Sequence, residues 1–151
     1  MDLLADLQAE TGMGLILITH DLGVVADVAD KVAVMYAGKI VETGLVGEVY
    51  HRPAHPYTLG LMASIPRVDQ KGGRLDPIRG APPSLIHIPP GCSFHPRCDF
   101  ARDRCTVDEP PLYEVTGPGA GGDSARRRSA CHYYQEVLDA ARSARRSPSR
   151  D

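Results

Sequence analysis

The first 44 residues show the clearest alternation of hydrophobic and polar positions in the chain. In "DLLADLQAETG", the apolar residues Leu3, Leu4 and Leu7 recur at helical spacing and Gly12 ends the pattern, which predicts a short amphipathic helix. Further along, "LGVVADVAD" returns to helical spacing. The segment after it, "KVAVMYAGKIVETG", predicts two strands around a turn at residues 37–39.

Between these two helices lies "GLILITHD", a run of branched apolar residues bounded by Gly14 and His20. The run is too short for a buried helix and is apolar on both faces, which is typical of a strand inside a parallel sheet. Such a strand needs neighbours on both sides, and the chain supplies too few of them. The order of helix, buried strand, helix and hairpin therefore predicts the trailing part of an α/β sheet, with a sequence that is incomplete at its N-terminus.

The pattern changes after Leu45. The segment "VGEVYHRPAHPYTLGLMASIPR" predicts two short helices separated by Pro53 and Pro56. Prolines and glycines are then frequent, and residues 67–116 are predicted to form a loop-rich extension. Such an extension needs a cross-link, such as a bound metal or disulfides, to stabilise it. The composition of "TGPGAGGDSARRR" predicts a flexible linker, and "ACHYYQEVLDAARSA" predicts one last helix.

Composition limits the function classes. The chain has 151 residues, of which 42% are hydrophobic, enough for one ordinary core. No apolar run approaches the ~20 residues that span a bilayer, and the N-terminus is acidic where a signal peptide would be basic. We therefore expect a cytoplasmic protein, in which clustered cysteines bind metal more often than they form disulfides.

The net charge of −2 conceals a gradient along the chain. Residues 1–50 carry eight acids against two lysines, whereas residues 117–151 carry four acids against seven arginines. A basic end such as "ARSARRSPSRD" can bind nucleic acid or anionic lipid. Because no aromatic residues are interleaved with these arginines, a solvated, disordered tail is the preferred interpretation, and no nucleic-acid partner is expected.

His20 follows the predicted buried strand directly. In open α/β sheets, ligands gather at the carboxyl ends of strands, so this position is compatible with a binding role. A neutral imidazole can donate to a phosphate oxygen and accept from a second group. The alternative is a histidine that caps the next helix or is satisfied by the backbone.

The four cysteines are separated by five, six and 25 residues: Cys92, Cys98, Cys105 and Cys131. Structural zinc sites usually pair their ligands with two to four intervening residues, and neither short gap fits that pattern. Looser spacing suits an iron–sulfur cluster, which is larger than a single ion. The spacing leaves open a cluster, a zinc ion, or no metal with free thiols or two disulfides. His95 and His132 adjoin these cysteines and are expected to be loop residues.

The stretch "LILITHDLGVVADVADKVAVMYAGKIVETG" resembles ABC transporter ATPase subunits from their switch-histidine strand to the hairpin after it. The resemblance implies an ABC-type nucleotide-binding domain in which His20 contacts the γ-phosphate of Mg-bound ATP and helps to hold the attacking water. Asp21 matches the usual next residue and is given no separate catalytic role.

Four later stretches resemble the C-terminal extension of the oligopeptide/dipeptide (and nickel) branch of these ATPases: "HRPAHPYTLGLMASIPR", "GAPPSLIHIPPGCSFHPRC", "CTVDEPPLYEV" and "ACHYY". The resemblance divides the chain into the end of an ATPase domain (residues 1–66), the extension with the four-cysteine site (67–135) and a basic, disordered tail (136–151). Some members of this branch carry a 4Fe–4S cluster on matching cysteines, which implies the same role for the four here, with zinc as the alternative.

Several elements of an ABC ATPase have no counterpart in this sequence: the phosphate loop G-x-x-x-x-G-K-[ST], the signature "LSGGQ" and the acidic strand end that carries the catalytic glutamate. The family places all of them before the position of Met1, which itself matches the interior of a helix, as a mis-assigned start codon would. We therefore expect that this chain alone neither binds ATP tightly nor hydrolyses it.

The parent protein implied by the resemblance is the ATP-hydrolysing subunit of a peptide or nickel importer. It would form a head-to-tail dimer with a second ATPase subunit on the cytoplasmic face of the membrane. The dimer would drive two permease subunits that receive cargo from an extracytoplasmic substrate-binding protein. The alternative is a free-standing iron–sulfur or zinc module with a regulatory or redox role.

Overall fold

The computed structural model describes residues 2–65, 77–116 and 127–146. In these ranges the helices are α1 (Asp2–Thr11), α2 (Leu22–Val28), α3 (Val46–His51), α4 (Pro56–Ala63), α5 (Asp103–Val107) and α6 (Tyr134–Arg146), with a 3-10 turn at His95–Arg97. The strands are β1 (Lys31–Tyr36), β2 (Lys39–Leu45), β3 (Tyr113–Glu114) and β4 (Arg128–Ser129). Most of the predicted linker, residues 117–126, and the last part of the predicted tail, residues 147–151, lie outside the described residues.

The predicted hairpin is confirmed. Strands β1 and β2 pair antiparallel from Lys31↔Leu45 to Tyr36↔Lys39. Ala37 (φ 48°) and Gly38 (φ 78°) both adopt left-handed backbone angles, as a two-residue type I′ turn requires. Strand β4 pairs antiparallel with β2, and β3 with β4, so the sheet order is β1-β2-β4-β3. The fold is therefore a mixture of helices with an antiparallel sheet to which the extension adds two short strands.

One hydrophobic cluster joins the hairpin to the extension. Its buried members are Val34, Tyr36, Val41, Val49 and Phe94. The Phe94 ring, from the extension, meets the Tyr36 ring edge-on with the centroids 5.1 Å apart. Aromatic pairs in this geometry add to the free energy gained by burial alone. The loop-rich extension thus completes the core of the hairpin instead of forming a separate core.

The buried strand predicted from "GLILITHD" does not form. Residues 13–19 have no regular secondary structure, and Ile16 and Ile18 are 90% and 95% exposed. Leu15 and Leu17 are covered somewhat better, at 44% and 43% exposed. A strand is stabilised by hydrogen bonds to its neighbours and by cover on its apolar faces, and residues 13–19 have neither here. Local sequence pattern alone cannot supply these partners.

The last predicted helix is confirmed, and it extends further than expected. Helix α6 continues to Arg146, so the disorder predicted for residues 136–151 is wrong over most of that range. Val137 and Ala141, four residues apart on one helical face, are 0% and 4% exposed. Helix α6 packs against α4, and this apolar contact stabilises the helix despite its basic composition. None of the helices in the described ranges combines the length and hydrophobicity that a bilayer crossing requires.

Candidate functional site

The four cysteines line one pocket of the structure. Cys105 and Cys131 are buried, whereas Cys92 and Cys98 are half-buried. The pocket is also bordered by His55, at the start of α4, and by Phe94 and other residues of the extension. Thiols that are up to 39 positions apart in the sequence therefore converge on one space.

Tight backbone turns place the first three cysteines. The Cys92 N–H donates to the Cys105 carbonyl at 2.9 Å, which fixes the loop against the start of α5. The Cys98 N–H donates to the His95 carbonyl at 3.2 Å and closes the 3-10 turn. The Phe100 N–H points at the Cys98 sulfur at 3.3 Å, a contact that would favour a thiolate. Cys131 approaches from the other side, two residues after β4.

The electrostatics of the cavity disfavour free thiolates. Burial, with a smaller contribution from the neighbouring cysteines, raises the pKa of Cys98 and of Cys131 to about 12. Burial also raises the pKa of Cys92. Several adjacent thiolates could be accommodated only with a compensating positive charge, because removing an anion from water is costly. Cys92, Cys98 and Cys131 are therefore neutral thiols at pH 7 unless a cation binds.

The donor chemistry of the cavity was compared with what a metal needs. Within residues 2–65, 77–116 and 127–146, no three or more His, Cys, Asp and Glu side chains are arranged to hold a single metal ion. The four sulfur atoms line one pocket without forming such a group. Both ring nitrogens of His132 face hydrogen-bonding partners, the Tyr113 hydroxyl at 3.0 Å and the Asp108 carbonyl at 3.1 Å. His132 is therefore engaged in loop structure, as predicted.

His20 lies apart from the set of residues that line this cavity. It is exposed, at a bend between the irregular segment 13–19 and α2. The next residue, Asp21, caps α2 by accepting hydrogen bonds from the Gly23 N–H at 2.9 Å and the Val24 N–H at 3.3 Å. The capping role belongs to Asp21 and not to His20, and the predicted γ-phosphate contact of His20 stays a prediction.

A buried ion pair that the sequence analysis missed supports the Cys131 side of the cavity. Arg127 donates to the Glu42 carboxylate at 3.0 Å, and the two side chains are 3% and 0% exposed. The same carboxylate accepts from the backbone N–H groups of Ala54 at 2.8 Å and His55 at 3.0 Å. Arg127 also donates to the Arg52 carbonyl. The sequence did show a glutamate between Val41 and Thr43 in a predicted strand, where a charged side chain needs a partner if it is buried. Nothing in the sequence identified Arg127 as that partner.

His55 connects this polar network to the cysteine cavity. Its Nδ1 accepts the Tyr57 N–H at 3.1 Å and caps α4, and Pro56 occupies the first helical turn. The His55 side chain also lines the pocket that holds Cys131. Burial lowers the pKa of His55 to about 3, so the ring is neutral at pH 7.

Part of the chain that contains these features matches a known protein family. Residues 41–105 match the family model described as the oligopeptide/dipeptide transporter, C-terminal region. These residues belong to that family. The matched range includes Glu42, His55 and the first three cysteines, so most of the cavity wall lies in the transporter C-terminal region. Arg127 and Cys131 lie beyond the matched range.

Individual relatives agree with the family match. The chain is 44% identical over 143 residues to a putative peptide import ATP-binding protein of Brucella ovis, covering 91% of this chain and 40% of that protein. It is 50% identical over 116 residues to the oligopeptide transport ATP-binding protein OppD of Mycobacterium tuberculosis (76% and 19% coverage) and 47% identical over 119 residues to OppD of Salmonella typhimurium (79% and 35%). The chain thus spans 40% or less of the length of these relatives.

The buried His55 predicts that the transporter C-terminal region loses stability in mild acid. Its pKa is about 3 in the folded chain and about 6.5 in the unfolded chain, so stability is present above about pH 6.5 and is lost as the pH falls toward 3. We expect a loss of about 2 kcal/mol near pH 5. Urea unfolding of the chain and of His55→Gln at both pH values measures this difference. Glu42, whose pKa burial raises, contributes with the opposite sign in both proteins and largely cancels.

An equal pH dependence in the two proteins would contradict this assignment. The comparison is made on the metal-free chain, so that no ligand dissociation overlaps the pH range.

Proposed function

We propose that this chain is the C-terminal portion of the ATP-hydrolysing subunit of an ABC importer for oligopeptides, dipeptides or nickel. The observation that carries the proposal is the similarity to peptide import ATP-binding proteins over 91% of the chain. The exposed apolar segment 13–19 supports it, because such a segment suits a strand covered by the remainder of a nucleotide-binding domain.

In this proposal, His20 contacts the γ-phosphate of Mg-bound ATP at the end of that strand. Its exposed position just before α2 leaves the ring accessible to a ligand. A phosphate loop, a signature motif and a catalytic glutamate do not occur within residues 1–151, so hydrolysis requires these elements from outside this range.

The proposed assembly follows from the same similarity. The parent subunit would pair head to tail with a second ATPase subunit at the cytoplasmic face of the membrane. Together they would energise two permease subunits supplied by an extracytoplasmic substrate-binding protein. Which cargo is carried would be decided in those other subunits.

A chimera tests the ATPase role. Residues 1–135 replace the matching C-terminal part of the Brucella ovis relative, and ATP hydrolysis is measured for the chimera and for its His20→Ala variant. We expect the chimera to hydrolyse ATP and the variant to be slower by about 100-fold or more, as when a preorganised transition-state contact is lost.

The matched control is His87→Ala, which changes an exposed loop histidine. It should keep the rate of the chimera. If His20→Ala hydrolyses ATP as fast as His87→Ala does, the γ-phosphate role is wrong. A chimera that is inactive while the intact relative is active would contradict the assignment of residues 1–66 to an ATPase domain.

We further propose that the four cysteines hold a 4Fe–4S cluster with a structural role. The support is the convergence of four thiols on one pocket, together with the spacing of the four cysteines along the chain, which suits a cluster better than the closely spaced pairs of a zinc site. When bound, the cluster would supply folding free energy through its metal–thiolate bonds. Around it, the chain provides the turn at Cys92–Cys98, helix α5 and the β4 segment that present the sulfurs.

Metal analysis of the chain purified without oxygen tests this site. We expect about four iron and four sulfide per chain and absorption near 400 nm, as for a cluster with four cysteine ligands. Cys98→Ser should lose this absorption, whereas Ser93→Ala, beside Cys92, should keep it. One zinc per chain, or no metal in the anaerobic preparation, would reject the cluster.

A further inference from the structure

Cys131 lies far along the sequence from the other cysteines of the pocket, 26 positions after Cys105. Its backbone is held on one side by the sheet, where the Ala130 N–H donates to the Val41 carbonyl at 2.8 Å. On the other side, helix α6 begins at Tyr134. Neither anchor belongs to α5, the helix that carries Cys105. The placement of Cys131 relative to α5 therefore depends on a different contact.

His132, the residue after Cys131, supplies that contact. Its Nε2 lies 3.1 Å from the carbonyl oxygen of Asp108, the C-cap residue of α5, three positions after Cys105. A carbonyl oxygen only accepts, so Nε2 carries the hydrogen of this bond. In the neutral ring Nδ1 is then an acceptor, and the Tyr113 hydroxyl donates to it at 3.0 Å. One ring thus joins the turn after Cys131 to α5 and to β3.

Helix α5 is held in place by contacts of its own. The Cys92 N–H donates to the Cys105 carbonyl at 2.9 Å, and the Asp108 N–H closes the helix by donating to the Arg104 carbonyl at 2.9 Å. The Asp108 carbonyl is one of the helix-terminal groups that have no partner within the helix. His132 therefore binds an acceptor on an element that is already fixed, and the part that it restrains is the turn after Cys131.

A second contact joins the same two elements at the other end of α5. The guanidinium of Arg102 lies 4.3 Å from the centroid of the Tyr133 ring and donates to the Glu136 carboxylate at 2.5 Å. Both charged side chains are about half exposed, and exposed contacts of this kind restrain a segment only weakly. Arg102 therefore keeps residues 133–136 near α5 when His132 is replaced, whereas the finer placement of the turn depends on His132.

We propose that His132 is a positioning residue for Cys131, acting through the hydrogen bond from Nε2–H to the Asp108 carbonyl. The inference rests on the four-cysteine site of the proposed function, in which Cys131 is the fourth ligand. His132 and Tyr133 themselves line the pocket, so the turn that this bond holds is part of the pocket wall. Loss of the bond lets that wall move away from α5 and exposes the Cys131 thiol to solvent.

Two substitutions separate the bond to α5 from the bond to β3 in the full 151-residue chain. His132→Asn places an acceptor near the position of Nδ1, where it can still bind the Tyr113 hydroxyl, and it loses the distal donor. His132→Gln carries its amide nitrogen near the position of Nε2, where it can still donate to the Asp108 carbonyl. Only the first variant therefore releases the turn from α5.

The readout is the alkylation rate of Cys131 relative to that of Cys98 in the metal-free chain, measured by peptide mass spectrometry. Cys98 is a suitable reference because it follows its own 3-10 turn, outside both α5 and the turn after Cys131. Tryptic cleavage after arginine places the two cysteines in separate peptides, residues 98–102 and 129–142.

We expect His132→Asn to raise the Cys131 to Cys98 ratio about tenfold, the size expected for losing one hydrogen bond. His132→Gln should stay within about twofold of the unmodified chain, as should the exposed-loop control His87→Asn. After anaerobic reconstitution, a chelator should also remove iron faster from His132→Asn than from His132→Gln.

Three results would overturn the proposal: an unchanged ratio in His132→Asn, an equal acceleration of Cys131 and Cys98, or the same rise in His132→Gln as in His132→Asn. The second would mean that His132 holds the extension as a whole and not Cys131 in particular. The alkylation ratio requires no metal. If the unmodified chain fails to assemble a cluster, the cluster proposal falls while the ratio still decides the role of His132.

Discussion

Replacing Arg127 by methionine is expected to lower the free energy of unfolding by about 3–5 kcal/mol, because it removes the partner of a buried charge. Glu42 is 0% exposed, and Arg127 supplies the positive charge at 3.0 Å. Without it, the carboxylate keeps the Ala54 and His55 N–H donors but has lost the positive charge beside it. The measurement is urea unfolding at neutral pH, followed by circular dichroism.

The matched control is Arg104→Met, which breaks an exposed ion pair with Asp108 at 3.2 Å. Exposed pairs contribute about 0–1 kcal/mol, so this variant should unfold close to the original midpoint. The double variant Glu42→Met with Arg127→Met should recover much of the loss, since an apolar pair of similar volume often replaces a buried ion pair at little cost. If Arg127→Met costs no more than Arg104→Met, the buried pair does not stabilise the fold.

The Glu42–Arg127 pair illustrates what sequence pattern cannot supply. Periodicity and turn residues act within a few positions, and they correctly predicted α1, the β1–β2 hairpin and the helices on either side of Pro53. The pairing of β2 with β4 joins residues about 85 positions apart, as the ion pair also does. Such contacts depend on the whole tertiary arrangement. Strands of two residues are also too short to show a strand pattern in the sequence.

The segment 13–19 shows the opposite case. Its pattern predicted a strand that does not form here, because a strand depends on its neighbours as much as on its own residues. Within the described residues those neighbours are absent, and Ile16 and Ile18 remain exposed. The pattern therefore indicates that the segment needs paired strands and cover for its apolar side chains. Residues 2–65, 77–116 and 127–146 do not provide them.

The cysteine site lies between these cases. Spacing left open a cluster, a zinc ion or no metal, and the structure brings the four thiols to one pocket. His55 caps α4 through Nδ1 in the region where the sequence predicted a helix after Pro56. No local pattern indicated that His55 would line the same pocket as Cys131, which lies 76 positions away. Local chemistry was predictable, and the support around it was not.

Replacing Gly91 by alanine is expected to lower the free energy of unfolding by about 2–5 kcal/mol and to disrupt the cysteine cavity. Gly91 has φ 68°, a left-handed angle that costs an alanine about 1–2 kcal/mol. An added Cβ would also lie 2.5 Å from the Cys105 carbonyl oxygen and 2.9 Å from the Val107 nitrogen. Backbone atoms cannot rotate away as a flexible side chain would, so the loop and α5 must separate.

That separation acts on the site directly, because the Cys92 N–H to Cys105 carbonyl bond at 2.9 Å spans the same gap. We therefore expect Gly91→Ala to lose both the cooperative unfolding transition of the extension and the iron retained after anaerobic reconstitution. The control is Gly47→Ala in α3, where an added Cβ meets nothing within 4 Å and should stabilise the helix by about 0.5 kcal/mol. If both variants unfold at the same urea concentration, the approach of Gly91 to α5 does not hold the site together. If Gly91→Ala retains iron while unfolding earlier, the cavity tolerates the separation and the cysteines are held by other contacts.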